Sequence, residues 1–378
     1  MDALTTPLPK DWEIKTFRDI STINQGLQIP ISQRLKAPTE HAKFYITIQA
    51  LNNRKEFEYI KTYNESVVCH KDDILMTRTG NTGMVITNIE GVFHNNFFKI
   101  NFDRTLINKD FLVYFLSLEQ TQKTILRKAG TSTIPDLNHN DFYSLSIPLP
   151  PLNEQIAIAN ILSDVDRYLY SLDALILKKE SIKKALSFEL LSQRKRLKGF
   201  NQAWQKVRLG DICEITTGSL DANEMVHYGK YRFYTCAKEY YFIDKYAFDT
   251  EAILISGNGA YVGYVHYYKG KFNAYQRTYV LDNFSEHIIF VKYFLTMFLQ
   301  SHIQTNKNEG NTPYIVMATL KDFEILLPPL NEQIAIANIL SDVDNEIISL
   351  KNKKRQFENI KKALNHDLMS AKIRVLKK

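Results

Sequence analysis

The sequence is poor in the residues that build disulfide frameworks and metal centres. Only three of its 378 residues are cysteines, Cys69, Cys213 and Cys236, and they lie far apart in the chain. The nine histidines form no His-Glu-x-x-His motif and no closely spaced pair. We therefore expect neither a disulfide scaffold nor a metal bound by this chain. Isolated cysteines are typical of a reducing compartment, so we expect a cytoplasmic protein.

Long apolar stretches are also missing. Runs such as Ile156–Leu162 are interrupted by Asn or by charge, well before the roughly 18 residues that a membrane-spanning helix needs. The segment Met1–Trp12 carries an acid and prolines instead of a basic patch followed by an apolar stretch. We expect no transmembrane helix, no signal peptide and no membrane partner.

Catalytic motifs are absent or incomplete. No Gly-x-x-x-x-Gly-Lys-(Ser/Thr) sequence occurs, which argues against an ATP-driven motor. Gly257–Gly263 imitates a dinucleotide loop, but the residues after it favour a strand where a pyrophosphate site needs a helix. Asn311–Tyr314 differs at its second position from the Asn-Pro-Pro-Tyr loop of amino-methyltransferases. We expect no catalytic residue in this chain.

Positive charge is concentrated in two tracts. The net charge is 48 − 41 = +7. Residues 167–200 hold nine Lys/Arg against three Asp/Glu, and residues 345–378 hold ten against three, which gives +6 and +7. Residues 1–149 come to +1 and residues 201–327 to −1. The tracts are either solvated helix faces or contacts with an acidic partner, and any nucleic-acid contact elsewhere must use local patches.

The strongest signal is an internal repeat. Residues 150–166 and 328–344 share the same seventeen letters, PPLNEQIAIANILSDVD, at an offset of 178. The match continues as IKKAL at 182–186 and 360–364, and Arg196 answers Arg374. Such a duplication indicates two copies of one structural unit.

Each copy predicts a long helix, from Asn153 to about Lys198 and from Asn331 to about Lys377. Pro is tolerated at a helix start, Asn can cap it, and Glu suits the positive end of the helix dipole. Apolar residues then step alternately by four and three, with lysines interrupting the seam. This heptad pattern predicts that the two helices pair. The predicted pairing residues are Leu162, Val165, Leu169, Leu172, Leu186, Leu340, Val343, Ile347, Leu350 and Leu364.

The two remaining blocks are also related. Trp12–Ile20 aligns with Trp204–Ile212, and an apolar run entering a glycine loop follows in each block, at Asp73 and at Ala252. Both blocks are mixed, with strands rich in Ile, Val, Tyr and Phe and helical stretches at 109–122 and 286–304. We predict an α+β chain of four segments, namely a first block at 1–149, a central helix at 150–200, a second block at 201–327 and a C-terminal helix at 328–378.

Two related blocks separated by a stiff spacer are suited to contacting two sites that lie a fixed distance apart on one partner. On double-stranded DNA they would bind two half-sites with an unread gap. The blocks agree at framework positions and differ elsewhere, which favours two dissimilar half-sites over a palindrome.

At this point the sequence resembles the specificity subunit of a type I DNA restriction and modification system. The resemblance covers nearly the whole chain. It is carried by the Pro-Leu-Asn-Glu-Gln-Ile helix starts at Leu152 and Leu330, the Trp openings at Trp12 and Trp204, the Asp-Ile-Leu-x-x-Arg-x-Gly run at Asp73 and the Gly-Thr-Ser-Thr-Ile-Pro segment at Gly130. In that family two target-recognition domains alternate with two conserved helices that pair antiparallel, giving a pseudo-twofold architecture.

The resemblance implies a noncatalytic subunit within a type I deoxyribonuclease and adenine-N6 methyltransferase complex. Two methyltransferase subunits, which use S-adenosylmethionine, dock on it, and restriction subunits that need ATP and Mg can join them. The chain itself would bind no cofactor. The helix starts would contact the partners through Asn153, Glu154, Gln155, Asn331, Glu332 and Gln333. The second block departs from the glycine-loop pattern because Gly257 stands where the first has Arg78.

Candidate DNA contacts follow from side-chain chemistry. Arg, Lys, Asn and Gln read base edges, whereas phosphates accept hydrogen bonds from Lys, Arg, Ser and Thr. In the first block the candidates are Gln25, Arg34, Lys36, Arg78, Asn81, Thr82, Thr131 and Ser132. In the second they are Asn258, Tyr261, Lys271, Asn273, Gln276, Arg277, Asn311 and Thr312. Tyr240, Tyr241, Tyr264, Tyr267 and Tyr268 are either stacking platforms for bases or, as strand spacing favours, core and cross-strand pairs.

Two other functions remain open. A self-sufficient DNA methyltransferase or nuclease would show cofactor-dependent activity as the isolated chain. A coiled-coil adaptor without DNA contacts would keep its function when the glycine loops are altered.

Overall fold

The computed structural model describes residues 8–52, 57–130, 132–306 and 313–375. They form two compact units, the first made of Met1–Leu172 and Lys353–Lys378 and the second of Asp173–Asn352. Each unit contains one predicted block, the first part of one long helix and the last part of the other. The fold class is α+β with two long helices, as predicted. The predicted segment boundaries follow the blocks along the chain, whereas the units divide both helices.

The first unit is built around short strands. They are β1 Glu13–Thr16, β2 Ser21–Gln25, β3 Lys43–Ile46, β4 Tyr59–Ile60, β5 Val68–Cys69, β6 Ile74–Thr77, β7 Val85–Ile86, β8 Gly91–Phe93, β9 Phe97–Phe102 and β10 Ser146–Leu149. β1 pairs antiparallel with β10. The other strands form two four-stranded sheets, ordered β2-β9-β6-β7 and β4-β3-β8-β5, the second with a parallel β3–β8 pair.

Helices cover the core of the first unit. They are α1 Phe17–Ile20, α2 Ile48–Asn52, α3 Lys109–Leu116, α4 Glu119–Ala129 and α5 His139–Tyr143. The helix predicted over 109–122 is thus two helices, with a break at residues 117–118. Strand β6 is buried at every position. Phe17, Phe98 and Phe111 join the start of the first long helix in one hydrophobic core.

The second unit has one large sheet. Its strands are β11 Gln205–Arg208, β12 Glu214–Thr217, β13 Tyr231–Tyr234, β14 Tyr241–Ile243, β15 Phe248–Ser256, β16 Val265–Ala274, β17 Thr278–Asp282 and β18 Glu324–Leu327. Six strands lie in the order β12-β17-β15-β16-β13-β14, in which only β13–β16 is parallel. β11 pairs antiparallel with β18, which repeats the β1–β10 ribbon. Two further helices, α7 Ile288–Asn306 and α8 Met317–Lys321, complete the block.

The long helices are α6 Leu152–Leu191 and α9 Leu330–Met369. Both end before the predicted limits at Lys198 and Lys377. After each end a residue adopts a left-handed conformation, Gln193 with φ of 61° and Ala371 with φ of 57°. The N–H of Lys195 then bonds to the carbonyl of Glu189, so one of the last carbonyls of the helix is satisfied at an end that has no glycine. The prediction overran because it took glycine and proline as the stop signals.

Within each unit the two helices pair antiparallel. In the first unit, Asp166 of α6 bonds to Lys361 of α9 at 2.5 Å, and the rings of Tyr168 and Phe357 lie 4.6 Å apart. In the second unit, Lys183 of α6 lies 2.5 Å from Asp344 of α9. Lysines that interrupt the predicted seam therefore form ion pairs across it, so part of the basic charge faces the neighbouring helix.

Candidate functional site

The start of each long helix is fastened to its block by a buried carboxylate. In the first unit the carboxylate of Glu154 is 2% exposed. It accepts hydrogen bonds from Trp12 Nε1 at 3.1 Å and from Arg374 Nε and Nη2 at 2.8 and 2.9 Å. Arg374 also reaches Asp11 at 3.0 Å, and these hydrogen bonds raise the pKa of its guanidinium. One carboxylate thus ties together the residue just before β1, the start of α6 and the segment after α9.

The neighbouring glutamine adds a second tie. Gln155 is fully buried. Its Oε1 accepts the N–H of Asn108 at 2.9 Å, and its Nε2 donates to the carbonyls of Leu106 and Pro150 at 3.0 and 2.9 Å. A buried amide with all these groups satisfied orients the helix start against the loop that precedes α3.

The second unit repeats both ties. Glu332 is fully buried and accepts hydrogen bonds from Arg196 Nε and Nη2 at 2.9 and 2.8 Å and from Trp204 Nε1 at 3.2 Å. Gln333 accepts the N–H of His287 at 3.1 Å and donates to Glu286 Oε2 at 2.6 Å. The seventeen-residue repeat therefore preserves one junction between helix and block.

These junctions change the interpretation of the predicted partner-binding residues. Glu154, Gln155, Glu332 and Gln333 are buried and bonded within their own units, so they hold the fold and do not face a partner. Of the six, only Asn153 and Asn331 are exposed. We therefore reassign the four buried residues to positioning the helix.

A further contact recurs at matched positions farther along the two long helices. Tyr114 Oη donates to Asp166 Oδ2 at 2.8 Å in the first unit, and Tyr293 Oη donates to Asp344 Oδ2 at 2.7 Å in the second. Burial, together with the carboxylate that accepts the bond, raises the pKa of both tyrosines. The second unit adds Lys292, whose pKa is lowered by burial.

Sequence reasoning did not assign the basic and aromatic partners of these junctions. The signal was present, because Arg196 and Arg374, like Trp12 and Trp204, correspond between the copies. A buried carboxylate in a repeated Asn-Glu-Gln start needs a donor, and the repeated Arg and Trp are the side chains able to supply one.

All the predicted pairing residues are buried or half-buried. Leu162, Leu172, Leu340 and Ile347 are buried. Leu186 and Leu364 are half-buried and pack against the cores of the second and first unit, respectively. The half-buried remainder are Val165, Leu169, Val343 and Leu350.

In the first block most of the predicted DNA contacts already have partners. Arg34 donates to the carbonyl of Ile29 and to Glu58, which also holds Lys36. Arg78 forms a two-pronged pair with Asp136 at 3.0 and 2.7 Å.

The polar candidates of the first block differ in exposure. Thr82 is buried and donates to the carbonyl of Pro135. Gln25 donates to the carbonyl of Asn95. Asn81, at the loop tip with φ of 57°, and Ser132 are exposed, while Thr131 lies outside the described residues.

In the second block the candidates also divide by exposure. Asn273 is 4% exposed and its amide bonds to the carbonyl of Lys245 and the N–H of Ala274, an arrangement that does not favour its predicted contact with DNA. Gln276 donates to Asp221 at 2.7 Å. Tyr261 and Arg277 are exposed.

The other candidates of the second block lie in the glycine loop, in strand β16 or outside the described residues. Asn258 forms a β-bridge with Tyr314. Lys271 is exposed, and its ammonium group lies 4.6 Å from the ring centroid of Tyr246. Asn311 and Thr312 lie outside the described residues.

Of the five tyrosines, two match the cross-strand interpretation and three match the stacking interpretation. Tyr267 and Tyr268 of β16 lie opposite Ile253 and Ala252 of β15. Tyr240, Tyr241 and Tyr264 keep 37–39% of their surface exposed. These three can offer a ring to an outside group.

Neither a metal site nor a membrane span emerges from the described part of the chain. No cluster of three or more His, Cys, Asp or Glu side chains suited to a metal occurs there. None of its helices has the length and apolar character needed to cross a bilayer.

Comparison with known proteins gives a family and close precedents. The model described as "Type I restriction modification DNA specificity domain" matches residues 9–183 and 201–359. The specificity subunit of the type I restriction enzyme EcoDI from Escherichia coli is 37% identical over 170 residues, 44% of this chain and 37% of that protein. The MjaVIII specificity subunit of Methanocaldococcus jannaschii is 25% identical over 414 residues, which cover 97% of this chain and 94% of that one.

Solved structures share the fold. The S subunit of the type I restriction-modification system of M. genitalium superposes with a TM-score of 0.63 at 18% identity, over 96% of this chain and 98% of that one. A chain from a study of complex assembly and conformational transition of the type I R-M system gives 0.58 at 16%, over 96% and 99%.

Proposed function

The chain belongs to the type I restriction-modification DNA specificity family, and from this membership we propose that it selects a two-part DNA site for a methyltransferase complex. Each block binds one half-site. The chain itself performs no chemistry. The observation that carries the proposal is that two different blocks are fastened to the same helix start by the same contacts, Glu154 to Trp12 and Arg374, and Glu332 to Trp204 and Arg196.

The two blocks support recognition of dissimilar half-sites. The first carries two four-stranded sheets, whereas the second carries one six-stranded sheet. Their loops also differ, because Arg78 is replaced by Gly257 and exposed tyrosines are concentrated in the second block. Different side chains at matched positions read different bases.

Docking of two like partners is supported by apolar side chains that are exposed at matched positions of the repeat. Ile156 and Ile334 are 41% and 39% exposed, and Ile182 and Ile360 are 43% and 50% exposed. Exposed apolar groups on a helix favour contact with another protein. Because each group occurs twice, the surface suits two copies of one methyltransferase subunit.

In this proposal the partners hold the cofactors. S-adenosylmethionine binds in the methyltransferase subunits, which methylate adenine, and ATP and Mg bind in restriction subunits where these are present. The residues of this chain position the DNA and orient the partners.

Mapping methylated adenines in host DNA, with and without this protein, tests the proposal. We expect one bipartite motif to lose its methylation when the protein is removed and to regain it when the protein is restored. An unchanged methylation pattern contradicts the proposal and favours an adaptor. Methylation of a DNA duplex by the purified chain alone, given S-adenosylmethionine, also contradicts it and favours an enzyme.

A further inference from the structure

The glycine loops of the two blocks are held in the same way by their backbones. The N–H of Arg78 donates to the carbonyl of Asn96 at 2.7 Å, and the carbonyl of Arg78 accepts the N–H of Leu137 at 2.9 Å. In the second unit the N–H of Gly257 donates to the carbonyl of Arg277 at 2.8 Å, and its carbonyl accepts the N–H of Ile315 at 2.9 Å.

A glutamine from the covering helix holds each loop as well. Gln122 donates to the carbonyl of Gly83 at 2.7 Å, and Gln300 donates to the carbonyl of Val262 at 2.8 Å. Gly83 and Gly263 both have positive φ, of 91° and 80°. Arg78 and Gly257 are therefore structurally equivalent, and so are Asn96 and Arg277.

In the first block the arginine at this place is neutralised. Nε and Nη2 of Arg78 donate to the two carboxylate oxygens of Asp136, and the Arg78 side chain is only 18% exposed. Its guanidinium also lies 5.7 Å from the ring centroid of Phe98. These contacts tie the glycine loop to the segment before α5, so Arg78 acts as a brace.

In the second block the position of Arg78 is occupied by Gly257, and an arginine stands at the position that faces it. Gly257 has no room for a side chain, because a Cβ there would lie 2.3 Å from the carbonyl oxygen of Arg277. The segment equivalent to Asp136 presents Tyr314, which bridges to Asn258. Arg277 stands opposite on the turn between β16 and β17, where the first block has Asn96.

The backbone of Arg277 is fixed while its side chain is exposed. Its carbonyl accepts the N–H of Gly257 and the thiol of Cys236, the latter at 3.2 Å. No hydrogen bond or ion pair of its guanidinium occurs within residues 8–52, 57–130, 132–306 and 313–375, unlike those of Arg34 and Arg78. A fixed backbone with an exposed cation is preorganised for contact with an anion.

The surroundings of Arg277 suit DNA. Lys238 lies with its ammonium group 5.1 Å from the ring centroid of Tyr261, which is 44% exposed, and Tyr314 is 39% exposed. Glu239 is exposed on the same segment as Lys238, so with Arg277 these three side chains carry a net single positive charge. Cations interleaved with exposed rings are typical of nucleic-acid surfaces.

We propose that Arg277 is the arginine through which the second block contacts DNA, and that Arg78, the arginine of the matching loop in the first block, braces its loop instead of contacting DNA. The proposal rests on the proposed function. It predicts that contact with the second half-site contributes more to the salt dependence of binding than contact with the first.

The test uses the full chain assembled with its methyltransferase partner and duplexes carrying the motif found by methylation mapping. Dissociation constants are measured at several salt concentrations. Arg277→Ala should weaken binding about tenfold. It should also reduce the magnitude of the slope of log Kd against the logarithm of the salt concentration by about one. Arg277→Lys should keep most of the slope because it keeps the charge. Arg208→Ala, which removes another exposed arginine of the same unit, should bind like the unaltered protein.

The outcomes separate this inference from the proposed function. If the unaltered complex does not distinguish its motif from a scrambled duplex, the proposed function fails. If it does, and Arg277→Ala binds with unchanged affinity and salt slope, the inference fails. Arg78→Ala should lower the melting temperature without changing the slope, and a lower slope at an unchanged melting temperature would overturn its role as a brace.

Discussion

Glu154 and Glu332 are the residues on which the junctions between helix and block depend. Each is a buried carboxylate bonded to an arginine and a tryptophan. A buried ion pair contributes little net stability compared with apolar packing, but breaking it strands a charge. We infer that these pairs fix the geometry of the helix start.

Glu332→Ala should therefore lower the free energy of unfolding by about 3 kcal/mol, because it strands the guanidinium of Arg196 and the indole N–H of Trp204. Chemical denaturation of the full chain measures the change. The matched control is Glu346→Ala, which removes a half-exposed carboxylate 2.8 Å from Lys179 and should cost less than about 1 kcal/mol. Equal losses in the two variants would contradict a special role for the junction.

We expect His266 to make the stability of the second unit depend on pH. Its ring lies between Tyr264 and Tyr234, at centroid distances of 4.7 and 5.2 Å. Burial lowers its pKa below the ordinary value of 6.5. The unfolded chain then binds a proton that the folded chain does not, so the stabilisation is present above about pH 6.5 and is lost as the pH falls through the lowered pKa.

We expect the melting temperature to fall between pH 7.5 and pH 5, and the fall to be smaller in His266→Gln. Glutamine can still donate to the carbonyl of Ala237, which His266 contacts at 2.9 Å. His41→Gln is the control, since His41 is exposed. The same pH dependence in the His266 variant and the unaltered chain would show that another group is responsible.

At the scale of single residues, the sequence identifies the repeated Asn-Glu-Gln helix starts but not the residues that bond to them. The family resemblance assigned Glu154 and Gln155 to partner contact, because identical helix starts suit two partners of the same type. Two partners of Glu154, Arg374 and Trp12, lie 220 and 142 residues away in the chain. Such contacts depend on tertiary packing, which no local pattern contains.

At the scale of elements, the pairing of α6 and α9 rests on buried positions of the heptad seam. Replacing both Leu172 and Leu350 with Asp should lower the free energy of unfolding by at least about 3 kcal/mol, because it places unpaired charge where apolar side chains pack. Thermal melting of the purified chain measures the effect. Aspartate at Tyr170 and Ile348, which are 78% and 55% exposed, is the matched control. Stability like that of the unaltered chain in the Leu variant would argue against helix pairing.

The matched exposed residues of the helices predict how many partners bind. Ile156→Asp or Ile334→Asp alone should remove one methyltransferase subunit from the complex, and the double variant should remove both. Native mass spectrometry counts the subunits. Ile31→Asp, at a 74% exposed position of the first block, should keep the full complement. Two subunits still bound to the double variant would place the docking surface elsewhere.

The long helices were predictable and the sheets were not. Apolar spacing and the lack of internal glycine or proline locate α6 and α9 to within a few residues at their starts. The strands of the blocks are short, and their pairing is long-range. The parallel pairs β3–β8 and β13–β16 follow from which apolar faces pack together, and a strand's own residues do not specify its neighbour.

At the scale of the whole molecule, the repeat predicted the plan of the chain but not its division into compact units. Each unit takes residues from two separate regions of the repeat, since the last part of one helix packs with the first part of the other. The four-segment prediction follows the order of the chain. Spatial division follows the cores, which join Leu162 with Leu368 and Leu190 with Leu340.

The central claim is that paired helices set the distance between two readers while other subunits perform the reaction. Inserting four residues next to Lys179 lengthens α6 by about 6 Å, close to one turn. We expect methylation mapping to return the same two half-sequences with a gap longer by about one or two base pairs, while four residues inserted after Glu40, in an exposed turn, leave the gap unchanged. An unchanged gap in a stable, active complex that carries the helix insertion would contradict the account.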